Sequence, residues 1–169
     1  MNSPLILTLK LDDESFNFFD VLRKKYFPKK RNFLAAHVTL FHHLPDENLD
    51  IIKQNLRDIC LETVELPLSF IHWRFLGKGS AMTIESNELL KLRNVLAKIW
   101  QENLTAQDRQ KFQPHITIQN KVAPDEARKT FDILAANWQA KKGLAKGLTL
   151  WHYAGGPWRF EAEYLFSET

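Results

Sequence analysis

Residues 31–44 read RNFLAAHVTLFHHL, and a shorter version of the pattern returns at residues 112–119 as FQPHITIQ. Each contains His, an apolar residue, Thr and a second apolar residue: His37-Val38-Thr39-Leu40 in one, His115-Ile116-Thr117-Ile118 in the other. Val, Ile and Thr suit a pleated, half-buried strand, and alternation of apolar with polar residues has the strand period of two. Successive strand side chains point to opposite faces, so Val38, Leu40, Ile116 and Ile118 are expected to face a core. Each His then lies beside its Thr on the other face, an imidazole next to a hydroxyl, as a phosphate site requires. With six histidines in 169 residues, chance supplies roughly a third of one such triplet. Two occur, nearly half the chain apart and both inside apolar strand patterns. The pair, more than either copy, points to chemistry.

The rest of the composition is that of a globular chain, with 44% apolar and 25% charged residues. Lys and Arg number 23 against 20 Asp and Glu, and the sequence pI is near 9.0. That balance favours anionic partners without demanding nucleic acid. The lone Cys60 excludes an intrachain disulfide and any multi-cysteine metal site. The first residues, MNSPLILTLKLDDE, lack the basic and long apolar regions of a signal peptide, and no run approaches a membrane span. The expectation is a cytoplasmic protein with no membrane association and no obligate protein partner.

Along the chain, LILTLKL (residues 5–11) alternates as a strand, and residues 12–27 form an amphipathic helix capped by Asp12 or Asp13 and stopped by Pro28. A basic cluster, Lys24, Lys25, Lys29, Lys30 and Arg31, leads into the first motif. Pro45-Asp46-Glu47 opens a helix to about residue 61, and strands at 64–76 and 80–86 join at Gly77-Lys78-Gly79. Ser86 or Asn87 caps a helix over 88–104; a polar segment, 105–113, leads to the second motif strand. A helix over 124–138 precedes two strands, 147–154 and 158–166, around Gly155-Gly156-Pro157. This order argues an α+β protein with largely antiparallel sheets. With no long linker, residues 1–169 read as one structural unit.

The paired motifs resemble the 2H phosphoesterase superfamily, and within it the 2'-5' RNA ligase-like proteins. The likeness runs through PLILTLKLDDESFNFFDVLR, RNFLAAHVTLFHHLP, FQPHITIQNKV and LWHYAGGPWRF. It implies two lobes related by a pseudo-two-fold axis, with duplicated antiparallel sheets, flanking helices and a motif strand on each side of a central cleft. It also implies hydrolysis of 2',3'-cyclic phosphates or related nucleotide or RNA-end phosphodiesters, with some members joining RNA ends through a 2'-5' bond in reverse. The positions carried over are His37, Thr39, His115 and Thr117, with His115 as the base and His37 as the acid, although the sequence is symmetric on that division.

The residue types support this chemistry without a cofactor. An imidazole titrates near neutrality and can give or take a proton. Two of them on opposite sides of one phosphorus suit in-line displacement by water, and two hydroxyls can bond the non-bridging oxygens as charge builds. By strand parity Phe41 and His43 are expected to reach the cleft, Phe41 to stack a base, and Gln119 to touch substrate; His42 points the other way, as a structural residue. Tyr153 and Trp158 bracket the Gly-Gly-Pro turn as aromatic candidates, Tyr153 as a substrate contact. His72 and Arg74 share a strand face and, like Lys78, could meet a phosphate. Two rivals stand beside this reading. A metal hydrolase could draw on His37, His42, His43, Asp46 and His115, but no metal-ligand spacing appears. A non-catalytic nucleotide- or RNA-binding module would keep the fold without needing two imidazoles.

Overall fold

LILTLKL is buried along almost its whole length, and forms β1 (Leu5–Leu11). The computed structural model describes residues 3–168. After β1 come α1 (Asp13–Tyr26), β2 (Val38–Leu44), α2 (Leu49–Leu61), β3 (Leu66–Phe75), β4 (Ser80–Glu85) and α3 (Asn87–Ile99). The chain continues through a short α4 (Ala106–Arg109), β5 (His115–Gln119), α5 (Pro124–Ala135), β6 (Lys141–His152) and β7 (Arg159–Leu165). Three helix starts follow the sequence: Asp12 accepts the Ser15 N–H, Ser86 accepts the Leu89 N–H, and Pro124 opens α5. The helix read from Pro45-Asp46-Glu47 begins at Leu49 instead, after a separate 3-10 turn over Asp46–Asn48. The polar segment 105–113 holds the short α4, which begins at a Thr105 cap.

Seven antiparallel strands form one sheet in the order β2-β1-β6-β3-β4-β5, with β7 also on β6. The long β6 joins two halves. Ala145 pairs with Leu11 on one edge and Leu66 on the other. Beyond it, residues 147–152 pair with β7, while residues 141–145 pair with β3. Each half is thus four strands, β2-β1-β6-β7 and β6-β3-β4-β5, with a motif strand at its outer end. This is the two-lobed, pseudo-two-fold α+β architecture that the resemblance implies. The start of β6 at Lys141 lies ahead of the strand read from the sequence. Lys141-Lys142-Gly143 carries no strand pattern of its own and is extended because its backbone pairs with Leu68, Ser69 and Phe70.

Both motif strands bulge just after the threonine. Thr8 pairs with Thr39 but Leu7 with Phe41, which leaves Leu40 extra; Ala81 pairs with Thr117 but Ser80 with Gln119, which leaves Ile118 extra. A bulge shifts the facing of every residue beyond it. Leu40 and Phe41 are consequently both buried, as are Ile118 and Gln119. The 77–79 turn accommodates the second bulge. Gly77 has φ 86°, and a Cβ at Gly79 would collide with the Gln119 carbonyl.

Each bulge is held by a buried arginine from a helix distant in sequence. Arg23 of α1 donates to Thr117 O at 2.8 Å and to Asn32 Oδ1 at 2.9 Å. Arg93 of α3 donates to Leu40 O at 3.0 Å and to Asp108 O at 2.7 Å. Each guanidinium also covers a ring, Arg23 over Phe27 at 4.1 Å and Arg93 over Phe41 at 3.9 Å. Replacing Arg93 by Leu would bury two carbonyls without donors. Arg93→Leu is expected to lower stability by roughly 2–4 kcal/mol in urea unfolding. An unchanged midpoint would show that the arginine does not hold the bulge.

Candidate active site

His37 immediately precedes β2 and His115 begins β5. The two rings make the same bond: His37 Nδ1 lies 2.8 Å from Ala35 O, and His115 Nδ1 lies 2.8 Å from Gln113 O. A carbonyl can accept but not donate, so Nδ1 carries the proton in each neutral ring and Nε2 presents its lone pair. Burial holds His37 well below the ordinary imidazole range, at about 4, with the charges of Arg23, His115 and His42 adding to the effect. Burial likewise lowers His115, helped by Arg74 and His42. In the free site both rings are therefore neutral at pH 7.

Thr39 and Thr117 are half-buried on the strands behind these rings. Thr39 lies opposite Thr8 on β1, and Thr8 opposite Thr149 on β6, a row of hydroxyls across three strands. In the other half His115 lies opposite Thr83, and Thr117 opposite Ala81, whose other neighbour is Arg74. A cavity of about 480 Å³ on the His37 side is lined by Thr8, Thr149, Phe33, Trp151 and Trp158. Trp151 Nε1 donates to Thr8 Oγ1 at 2.9 Å, and the Trp158 ring meets His37 edge-on, with centroids 4.8 Å apart. A second cavity of about 310 Å³ includes Thr39, His42, Arg74, Lys111, Gln113 and His115. One side of the site is aromatic and the other polar and basic. Among the described residues, no group of three or more His, Cys, Asp or Glu could hold a metal ion, and no helix is long and apolar enough to cross a membrane.

The bulges redirect several residues that strand parity sends to the cleft. Phe41 is 0% exposed and packs edge-on against Trp100 at 5.1 Å, beneath Arg93. Gln119 is 2% exposed, and its Nε2 donates to Thr130 Oγ1 at 3.0 Å and to Tyr26 O at 3.3 Å, among the helices. Neither can touch a ligand there. His43 is exposed but lines neither cavity, whereas His42, expected to be structural, lines the second. Tyr153 is 43% exposed and outside both cavities; Trp151 and Trp158 occupy the aromatic position instead. Arg74 reaches the second cavity, while His72 and Lys78 do not. The sequence carried no signal for Thr8 and Thr149, which look like ordinary strand residues until β1 and β6 pair.

The chain matches the pattern of the 2'-5' RNA ligase superfamily over residues 11–157. No match was found among curated proteins. Among solved structures, TT0787 of Thermus thermophilus superposes with a TM-score of 0.69 at 15% identity, over 99% of both chains. A structure described as a phosphoesterase gives 0.65 at 16% identity, again over 99% of both. E. coli LigT complexed with 3'-AMP gives 0.64 at 16% identity with the same coverage. These likenesses establish a shared fold.

Proposed function

Because the chain belongs to the 2'-5' RNA ligase superfamily, we propose that it is a metal-independent phosphodiesterase acting on 2',3'-cyclic phosphates or related nucleotide esters. The observation that carries this reading is the matched pair of Nδ1–carbonyl bonds, which leave two Nε2 lone pairs free for proton transfer. One imidazole takes a proton from water as the water oxygen bonds to phosphorus. The phosphorus–oxygen bond to the ribose breaks, and the other imidazole, protonated, delivers a proton to the departing oxygen. The product is a phosphomonoester beside a free hydroxyl. Thr39 and Thr117 donate to the non-bridging oxygens as negative charge builds. The aromatic cavity, with Trp158 against His37, suits a nucleobase. E. coli LigT has been crystallised with 3'-AMP, NADP+ and ATP, which supports a nucleotide-type substrate for this chain. With the 5'-hydroxyl of a second RNA end in place of water, the same catalysts would open the cyclic phosphate into a 2'-5' bond, the ribose 3'-oxygen leaving as a hydroxyl. One buried free thiol, Cys60, fits a reducing cytoplasmic setting.

The test is hydrolysis of a panel of cyclic phosphates (mononucleotide, RNA end and ADP-ribose) with and without EDTA. Turnover of at least one substrate, unchanged by the chelator, is expected. Loss of activity in EDTA would mean a metal hydrolase; binding without turnover across the panel would mean a non-catalytic nucleotide-binding module.

A further inference from the structure

The two His-x-Thr motifs account for one phosphorus, and the cavity lined by Thr39 and His115 holds further basic side chains that this account leaves unused. The bulge at Leu40 brings His42 into it. Asp108 of α4, 1% exposed, fixes that ring: its carboxylate accepts the His42 N–H at 2.8 and 3.0 Å and the His43 N–H at 2.9 Å, and faces His42 Nδ1 at 3.1 Å. Burial opposes the charge on Asp108, but the bonds from His42 and His43 prevail and keep its carboxyl below the ordinary range. Nδ1 is thus committed to a fixed carboxylate, and Nε2 is the ring nitrogen left for a ligand. Arg74 and Lys111 line the same cavity, and among the described residues neither is ion-paired. Arg74 Nη1 donates to Gln113 Oε1 at 3.2 Å, which holds the guanidinium against the residue whose carbonyl orients His115. Among the described residues, the sole carboxylate lining this cavity is Asp108, already committed to His42 and His43.

We infer that His42, Arg74 and Lys111 form a second phosphate subsite beside His115, so that the preferred substrate carries a further phosphate besides the reacting ester. This rests on the phosphodiesterase reading and narrows it to phosphorylated nucleotides or oligonucleotide ends. A 5'-phosphomonoester and an internucleotide phosphodiester present the same oxygens to such a site.

The experiment compares kcat/KM for adenosine 2',3'-cyclic phosphate, its 5'-phosphorylated form, and a dinucleotide ending in the cyclic phosphate. At least a tenfold preference for a substrate with the added phosphate is expected, and the preferred arm identifies monoester or diester. In Arg74→Ala and His42→Ala, whose side chains are exposed, the ratio is expected to fall towards one. Calorimetric binding of adenosine 3',5'-bisphosphate against 3'-AMP repeats the comparison without turnover. At least tenfold tighter bisphosphate binding that is lost in Arg74→Ala would uphold the subsite even if no cyclic phosphate were hydrolysed, when the phosphodiesterase reading alone would fall. Equal handling of both members of each pair by the wild type, or a preference that survives both substitutions, would overturn the subsite.

Discussion

His37→Ala and His115→Ala are each expected to lower kcat on a confirmed cyclic phosphate by about 10²- to 10⁴-fold or more, the range for a general acid or base in the transition state. The double variant is expected to be little worse than either single one, because the rings act as a unit and removal of one leaves the other no coupled transfer to make. Thr39→Ala and Thr117→Ala should cost about 10- to 10³-fold, as lost donors to a developing anion. Circular dichroism and urea midpoints should stay close to wild type for all four, since these side chains are half-buried at the cleft and outside the apolar core. Near-normal turnover by His115→Ala would remove the two-imidazole mechanism whatever the fold.

The second large effect separates acid from base. A phosphodiester with p-nitrophenolate as leaving group needs little protonation, so the variant lacking the acid should regain roughly 10²- to 10⁴-fold relative to an alkoxide ester, and the variant lacking the base should not. The family resemblance implies His115 as base; the ring held more firmly neutral is His37, which suits it to take the proton from water. Recovery by His115→Ala would make His37 the base, and recovery by His37→Ala the reverse. Recovery by neither would deny acid catalysis. The pH profile carries the same information in sign. A depressed imidazole loses its proton at lower pH than usual, so the acid fails early as pH rises and the base survives to lower pH. In kcat/KM, which reports the free enzyme, the maximum should then fall on the acid side of about pH 6.5. In kcat, the bound phosphate anion should raise both rings and move the maximum upward.

The His-x-Thr strands, the helix caps and the antiparallel architecture were legible because they rest on short-range signals: period-two alternation, Asp12 and Ser86 as caps, and Gly77-Lys78-Gly79 as a turn. Parity failed within four residues of each motif histidine. Leu40 and Ile118 look like ordinary inward strand residues, and nothing local marks them as the extra residue of a bulge. The bulge follows from pairing with β1 and β4 and from the arginines that α3 and α1 bring to it, all distant in sequence. Without the two bulges, parity sends Phe41 and Gln119 to the cleft and His42 away from it. Trp158 was visible beside Gly155-Gly156-Pro157, but its place against His37 depends on the pairing of β6 with β7. Lys141-Lys142-Gly143 shows the same limit from the other direction, a strand made by its neighbours.

The position of β6 also governs the order in which the site can come together. Synthesis delivers β1, α1 and β2 first, yet β1 must pair with β6, and Trp151 bonds Thr8 across 143 residues of chain. Until those late residues leave the ribosome, β1 has a partner on one edge alone, and the walls of the His37 cavity contributed by Thr149, Trp151 and Trp158 are missing. Closing so long a loop before its contacts repay the entropy slows folding. The nascent first half must therefore wait with an apolar strand edge open, a stage at which pairing with another chain competes with completion.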